Sequence, residues 1–478
     1  MYTDAESFYL SRTNASYAGC VLSCNPYIKE YKDTFPFHDS SLSELILALP
    51  GIVMGLPIFK LKIIYEFLLP FILSFLVYSL VFRLTKNQWV SIFGSVFIVL
   101  GYNLFNTTDL INISDIFDIF RLKTDYTQFL SFSRPVNPQF SSLVFFAYLH
   151  ILFSAIQKKN LKWFCFLAIA CGFSFYVYFF VYTFIIVIQG VWIGIYIIRK
   201  EWKTMSNFIL TTLAGFIIAA PQFVEIFKLL NHPYYSTIPT EYLIKTHIPE
   251  ITLIGVLMLS VFVIVSLLYV RKFEIISNEA YFTATLVFVW FIMRNEHVVS
   301  GMVMQYSHFE AYLFTPILVI AFCFLVSSFL NKRYYWLISL ICLIPILNSL
   351  LIQYNSYQHW LPYAIKEQEY VLILDWLRNE IPQGKVISAP EILSELIPVY
   401  THNYVLWAYW AGQWIHIPGR IEDIYASRSS IKEFESVGNK YGVDYYIEEK
   451  KSDIFVLNKM TKERVFEDQN FVVYKKDL

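Results

Sequence analysis

Near the start of the chain two carboxylates stand two residues apart, Asp4 and Glu6 in "YTDAESFYL". Placed beside a nucleophile, a carboxylate can take its proton. Further on, Arg134 in "SFSRPVNPQF" lies just outside an apolar run, where a guanidinium can grip an oxyanion through two parallel N–H bonds. Glu296 and His308 flank a Gly-containing loop, "RNEHVVSGMVMQYSH", and a histidine there can touch an anion or shuttle a proton. Each of these residues also has a purely structural account. "TDAE" fits a helix N-cap or first-turn acid, and in a helix a spacing of two puts Asp4 and Glu6 on different faces. Arg134 fits an interfacial anchor, and the loop His and Glu fit solvated positions. Asp109, Asp115 and Asp118 in "TTDLINISDIFDIF", with Glu30 and Lys32 nearer the start, read more simply as a solvated loop face, although Asp115 and Asp118 could share one side of a helix.

The elements that must position these residues are set by composition. The 478 residues are 56% hydrophobic, 19% aromatic and only 15% charged, with a mean hydropathy of +0.50. Ordinary soluble domains lie far from this pattern, and a polytopic membrane protein is expected. The net charge is zero, which gives no reason to expect nucleic acid as a partner.

A helix that crosses a bilayer needs about 20 mainly apolar residues, because backbone groups cannot go unpaired in hydrocarbon. Candidate spans cover 61–82, 88–104, 140–156, 161–178, 179–198, 208–223, 251–270, 280–293, 312–330 and 334–352, about ten by the length criterion. The run "FCFLAIACGFSFYVYFFVYTFIIVIQGVWIGIYII" is too long for one helix and divides near Tyr178.

Short basic loops recur at every second connection: Arg83 and Lys86; Lys158, Lys159 and Lys162; Arg199, Lys200 and Lys203; Arg271 and Lys272; Lys332 and Arg333. By the positive-inside rule these face the cytoplasm, which puts the longer alternate loops, the N-terminal segment and everything after Ile352 outside. A polar external start with no helix in front of it is hard to translocate, so a further helix before Met1 is expected.

From Lys366 onward charge density rises and apolar runs shorten. "EYVLILDWLRNEI" reads as an amphipathic helix, "KVISAP" as a short strand, "SSIKEFESVGNK" as a helix, and "YGVDYYIEE" and "QNFVVYKK" as strands, together a small α/β domain. It carries no Gly-rich phosphate loop. The expected fold is therefore an all-α polytopic membrane domain (61–353), preceded by an external loop segment with the acidic motif (1–60) and followed by a small external α/β domain (366–478). Cys165, Cys171, Cys323 and Cys342 fall in apolar spans, where Cys acts as a small hydrophobe. Cys20 and Cys24 share the external side; an oxidising compartment permits a disulfide, and their close spacing also admits a strained bond or none. No residues show zinc, haem or iron–sulfur spacing.

Many spans, an acidic motif in the first external loop, a long later external loop and a C-terminal external α/β domain together resemble the C-type (GT-C) glycosyltransferases. That superfamily includes oligosaccharyltransferases, protein O-mannosyltransferases and aminoarabinose transferases. The stretches that carry the likeness are "YTDAESFYLSRTNASYAGCVLSCNPYIKEYKD", "SFSRPVNPQFSSLVFF", "VVSGMVMQYSH" and "EYVLILDWLRNEIPQGKVISAP". One departure is that the family's acidic motif normally follows a first transmembrane helix. The resemblance implies transfer of a sugar from a polyprenyl-phosphate donor to a glycan, lipid or protein acceptor at the outer face of a plasma or inner membrane. Asp4 would be the base, or the ligand of a divalent Mg or Mn ion such as some members use, with Glu6 a second carboxylate. Arg134, His308 and Glu296 would hold the donor phosphate. Two other classes compete: a transporter for lipid-linked sugars, which would place ionisable or broken-helix elements at mid-membrane, and a non-catalytic scaffold or subunit.

Overall fold

The computed structural model describes residues 6–21, 24–33, 40–101, 131–232, 243–249, 263, 277–304, 309–408, 419–427, 430–450 and 463–476. The N-terminal segment supplies α1 (Glu6–Tyr17) and α2 (Leu42–Met54), the latter ended by Gly55 in the left-handed region. Long apolar helices follow: α3 (Ile58–Thr85), α4 (Gln88–Leu100), α5 (Ser141–Lys158), α6 (Leu161–Ser174), α7 (Phe179–Ile198), α8 (Trp202–Leu230), α9 (Asn278–Arg294), α10 (Thr315–Phe329) and α11 (Leu343–Glu367). Their starts are signalled locally: the side chains of Asn87, Asn160 and Ser277 accept from the first free N–H groups of α4, α6 and α9, as N-caps do. The long apolar run breaks at residues 175–178, where Tyr178 is extended before α7.

Among the described residues six helical runs are long and apolar enough to cross a membrane: Ile58–Thr85, Pro135–Lys158, Phe179–Ile198, Trp202–Leu230, Tyr312–Phe329 and Lys332–Glu380. α4, α6 and α9 are shorter, at 13, 14 and 17 residues. The expected span 251–270 lies outside the described residues except for Val263.

The chain divides into two compact units, one made of residues 1–61, 222–240 and 360–478 and the other of 62–221 and 241–359. In the second, the core is aromatic and aliphatic throughout. Phe145 meets Phe184 edge to face at 5.5 Å, and Phe153 meets Phe282 at 5.0 Å. α6 and α8 approach closely at Gly172, where an added Cβ would lie 2.6 Å from Ile218; small residues serve such contacts in membranes. By contrast, Phe67, Phe71 and Phe75 on α3, and Leu210, Leu213 and Ile217 on α8, are exposed. Their helical spacing gives each helix an apolar stripe that only hydrocarbon would cover.

The basic turns gather at one end of this unit. Lys159, after α5, pairs with Glu201, before α8, at 2.5 Å, and Arg199 pairs with the same carboxylate at 2.9 Å. Arg83, at the end of α3, donates to Ser154 of α5 at 2.9 Å, and Gln157 of α5 donates to Glu279 of α9 at 3.3 Å. Three of the basic connections expected to share one side therefore meet at one end of this unit.

In the first unit, α12 (Val371–Glu380), α13 (Glu391–Tyr400), α14 (Arg420–Ser427) and α15 (Ile431–Lys440) accompany a five-stranded sheet. β1 (Leu243–Lys245) and β2 (Met302–Met304) form a separate antiparallel pair in the second unit. The larger sheet has β3 (Val386–Ser388), β4 (Tyr404–Val405), β5 (Tyr445–Glu449), β6 (Glu463–Glu467) and β7 (Phe471–Lys475) in the order β4-β3-β5-β7-β6. β3 runs parallel to β4 and β5, and β7 antiparallel to β5 and β6. Asp444 anchors the register, accepting from the Val386 amide at 2.9 Å and from Lys385 Nζ at 3.1 Å.

The N-terminal segment is part of this unit. Phe8, Tyr27, Ile28 and Tyr31 share a core with Ile373 and Leu377 of α12 and Leu393 and Ile397 of α13. Asn14 Nδ2 donates to the carbonyls of Pro398 at 3.0 Å and Thr401 at 2.8 Å. Arg12 of α1 pairs with Glu44 of α2 at 3.0 Å, with side chains 1% and 2% exposed, and donates to Ser41 Oγ at 3.2 Å. Cys20 and Cys24 form a disulfide across a Cα separation of 6.2 Å.

Removing one partner of a buried ion pair strands the other charge. Glu44→Leu should cost the first unit about 3–5 kcal/mol, and Arg12→Leu with Glu44→Leu together considerably less, read as thermal unfolding of the full chain in detergent. Equal stability of Glu44→Leu and parent would show that the pair holds nothing. A second expectation concerns pH. Burial, and then the charge of Arg378, hold the His402 imidazole below its ordinary value of 6.5. The unfolded chain then binds a proton more readily than the folded one, so this histidine adds a loss of stability as pH falls through 6.5 toward the folded value. His402→Gln should remove that part of the slope in melts between pH 5 and about 8, and a profile identical to the parent's would contradict it.

Candidate active site

Glu6 opens α1 and is 7% exposed. A carboxylate in a first turn lies near unpaired backbone N–H groups and the positive end of the helix. Asp4 lies outside the described residues, as do His308 and the acids at 109, 115 and 118. Glu30 pairs with Arg420, whose guanidinium also lies 4.3 Å from the Tyr441 ring centre. That acid thus braces the N-terminal segment against α14, and the reading of a merely solvated Glu30 is corrected.

Arg134 belongs to the second unit and stands immediately before a six-residue π-helical turn, Pro135–Phe140, that leads into α5. Pro135 follows it, and a residue before proline is pushed toward extended backbone; Arg134 has φ −101° and ψ 128°. The stretch is clamped on both sides, since the Gln139 amide donates to the Arg134 carbonyl at 3.2 Å and Gln139 Nε2 donates to the Phe132 carbonyl at 2.8 Å. The half-buried guanidinium donates through Nη2 to the Tyr312 hydroxyl at 3.3 Å. The Tyr312 ring in turn lies 6.4 Å from that of Tyr178. A guanidinium carries five N–H donors in a rigid fork, a geometry that matches an oxyanion.

Glu296 precedes a four-residue helix, His297–Ser300, and accepts from Ser300 Oγ at 2.7 Å through Oε2. Its buried Oε1 has no hydrogen-bond partner among the described residues. Beside it, His297 is buried and faces the Ile248 carbonyl through Nε2 at 2.7 Å, and His247 faces the Val298 carbonyl through Nδ1 at 3.0 Å. A carbonyl only accepts, so each of those ring nitrogens carries a hydrogen. Gly301, at φ +76°, closes the turn, and a Cβ there would lie 2.8 Å from the His247 ring. The two histidines therefore lace residues 247–248 onto the turn that presents Glu296.

Of the expected residues, then, Arg134 and Glu296 share one unit, each held by its own neighbours, and Glu6 is fixed in the other. The sequence reading missed Tyr312, His297 and Arg12. Tyr312 and His297 had weak signals, a hydroxyl at the start of a span and a neighbour of Glu296. Arg12 had none, since its partner Glu44 is 32 residues on.

No family model matches the chain, and no curated protein sequence does. Solved structures do. The apo crystal structure of the oligosaccharyltransferase from Archaeoglobus fulgidus is similar with a TM-score of 0.50 and 13% identity, over 93% of this chain and 66% of that one. The same enzyme tethered through a disulfide to an acceptor peptide containing the NVT sequon matches at 0.50 and 11%, over 93% and 64%. Its complex with Zn and sulfate matches at 0.50 and 11%, over 93% and 63%. The chain thus spans just under two thirds of the length of these structures. The likeness is one of fold: the chain folds as a membrane protein resembling an oligosaccharyltransferase.

Tyr312→Phe should lower stability by about 0.5–1.5 kcal/mol, the net worth of one hydrogen bond, in thermal unfolding of the detergent-solubilised chain. No change would mean that the Arg134 guanidinium is held without that hydroxyl.

Proposed function

We propose that this chain is a membrane glycosyltransferase that moves a sugar from a polyprenyl-phosphate donor to a glycan, lipid or protein acceptor at the non-cytoplasmic face. The observation that carries the reading is the fold likeness over 93% of the chain to an oligosaccharyltransferase. The N-terminal segment and the C-terminal domain lie on the non-cytoplasmic side in this proposal, which draws support from basic turns that meet at one end of the helical unit.

The proposed step is an inverting displacement. The acceptor's nucleophilic atom forms a bond to the anomeric carbon while the bond from that carbon to the donor phosphate oxygen breaks. The electron pair leaves on the polyprenyl phosphate, and the acceptor proton passes to a carboxylate. Asp4 is the proposed base and Glu6 the second carboxylate, oriented by a helix that the C-terminal domain holds. Arg134 is the proposed cation for the departing phosphate, whose growing charge it stabilises more than that of the bound donor, and His308 and Glu296 are the further residues proposed to hold that phosphate. A Mg or Mn ion would need Asp4 and further ligands. Asp4 lies outside the described residues, among which no three His, Cys, Asp or Glu side chains come together to hold one.

Transfer of radiolabelled sugar from polyprenyl-phosphate donors, in membranes holding equal amounts of parent, Asp4→Asn, Glu6→Gln and Arg134→Ala chains, tests this. Loss of a general base or of an oxyanion donor typically costs about 100-fold or more in rate. Transfer by the parent with losses of that size in Asp4→Asn and Arg134→Ala is the expected result. Equal transfer by all four would keep the enzyme and discard the site. No transfer from any donor would favour a scaffold or a carrier of lipid-linked sugars.

A further inference from the structure

The first unit holds a cavity of about 630 Å3 between α1, the turn from α2 to α3, and the α13–β4 connection. That volume is within the range of ligand sites, roughly 300–1,000 Å3. Its lining has two characters. One wall is polar and includes Arg378, Asn379, Gln383 and His402, and no Asp or Glu is among the described residues that line the cavity. Arg378 is exposed and makes no hydrogen bond or ion pair with any described residue. The opposite wall is apolar. It holds Leu56 and Phe59, the latter stacked on Tyr400 at 4.4 Å, and it continues onto the end of α2, where Val53 and Met54 are 82% and 60% exposed. Phe59 is the second residue of α3, one of the six membrane-length helices, so this wall belongs at the depth where headgroups meet acyl chains.

A smaller cavity of about 420 Å3 lies beyond Asn14 and His402, against the Cys20–Cys24 loop, and it is lined by both Lys32 and Asp33. Only the larger cavity joins an uncompensated cation to an exposed apolar edge. A phosphate diester on two acyl chains has the matching chemistry, since guanidinium binds phosphate through paired N–H bonds and the chains would cover an edge that water would otherwise face.

We propose that this cavity binds the phosphate headgroup of an anionic membrane lipid, with the phosphate on Arg378 and the acyl chains along Val53 and Met54. It is independent of the transfer reading, because none of these residues enters that chemistry.

The test uses the full chain in a neutral detergent, titrated with phosphatidylglycerol, phosphatidylcholine and glycerol 3-phosphate and read by native mass spectrometry. Parent should take up phosphatidylglycerol in preference to phosphatidylcholine. R378Q, a surface change with no partner to strand, should bind phosphatidylglycerol about tenfold more weakly and melt like the parent. V53S with M54S should weaken phosphatidylglycerol and leave glycerol 3-phosphate unchanged. Glycerol 3-phosphate bound as tightly as the lipid, and lost in R378Q, would keep the phosphate site and overturn the lipid as its occupant. Equal phosphatidylglycerol binding by parent and R378Q would overturn the proposal.

Discussion

The order of the acidic N-terminal segment depends on packing against residues almost at the other end of the chain. α1 is a 12-residue helix of sequence "ESFYLSRTNASY", a length at which an isolated helix is marginal. It has no apolar stripe, and Ser7, Ser11, Arg12, Thr13 and Ser16 are all buried on it. Buried polar groups need partners, and Asn14 and Arg12 find theirs outside the helix, on the carbonyls after α13 and on Glu44. Phe8 supplies the apolar anchor in the core that α12 and α13 build. The direction in which Glu6 is presented is therefore set by packing against α12 and α13.

The helical unit obeys a different constraint. Hydrocarbon offers no partner for a backbone group, so helices are imposed, and side chains are left to decide only which helices touch. Bulky exposed residues on α3 and α8 give those helices a lipid face, while Gly172 and Gly215 mark where α6 and α8 come within contact. The charged residues are pushed to the ends. There Glu201 accepts both Lys159 and Arg199, an arrangement that ties neighbouring turns together more than it stabilises, since exposed ion pairs contribute little.

Much of this was legible in the sequence because the signals are local. The capping Asn87 and Asn160, the interruption at Tyr178 and the strands "YYIEE" and "FVVYK" all announce themselves within a few residues. Span lengths were harder to read. Hydropathy sees that "QWVSIFGSVFIVL" is apolar, but α4 is only 13 residues long, and no composition rule tells a short helix from a full span. What local reading cannot reach is pairing at a distance. Arg12 with Glu44, Glu30 with Arg420, and Asn14 with Pro398 are separated by up to 390 residues, and each turns a polar loop residue into a fixed one. The site inherits that limit, since the sequence showed acids and an arginine and could not show what holds them.

The interior polarity of the helical unit bears on what the chain does. Gln189 of α7 is fully buried and accepts a hydrogen bond from the Thr212 hydroxyl of α8. Tyr148 of α5 and Cys171 of α6 are buried as well. These are uncharged groups, of the kind that fasten helices together in a medium where an unsatisfied polar group is costly. A path for a charged lipid-linked sugar would need ionisable groups or broken helices at mid-membrane, whereas Arg134, Glu296 and Arg294 of this unit stand at helix ends. Among the described residues of this unit, then, these charged groups stand at helix ends and the neutral pair of Gln189 and Thr212 lies inside.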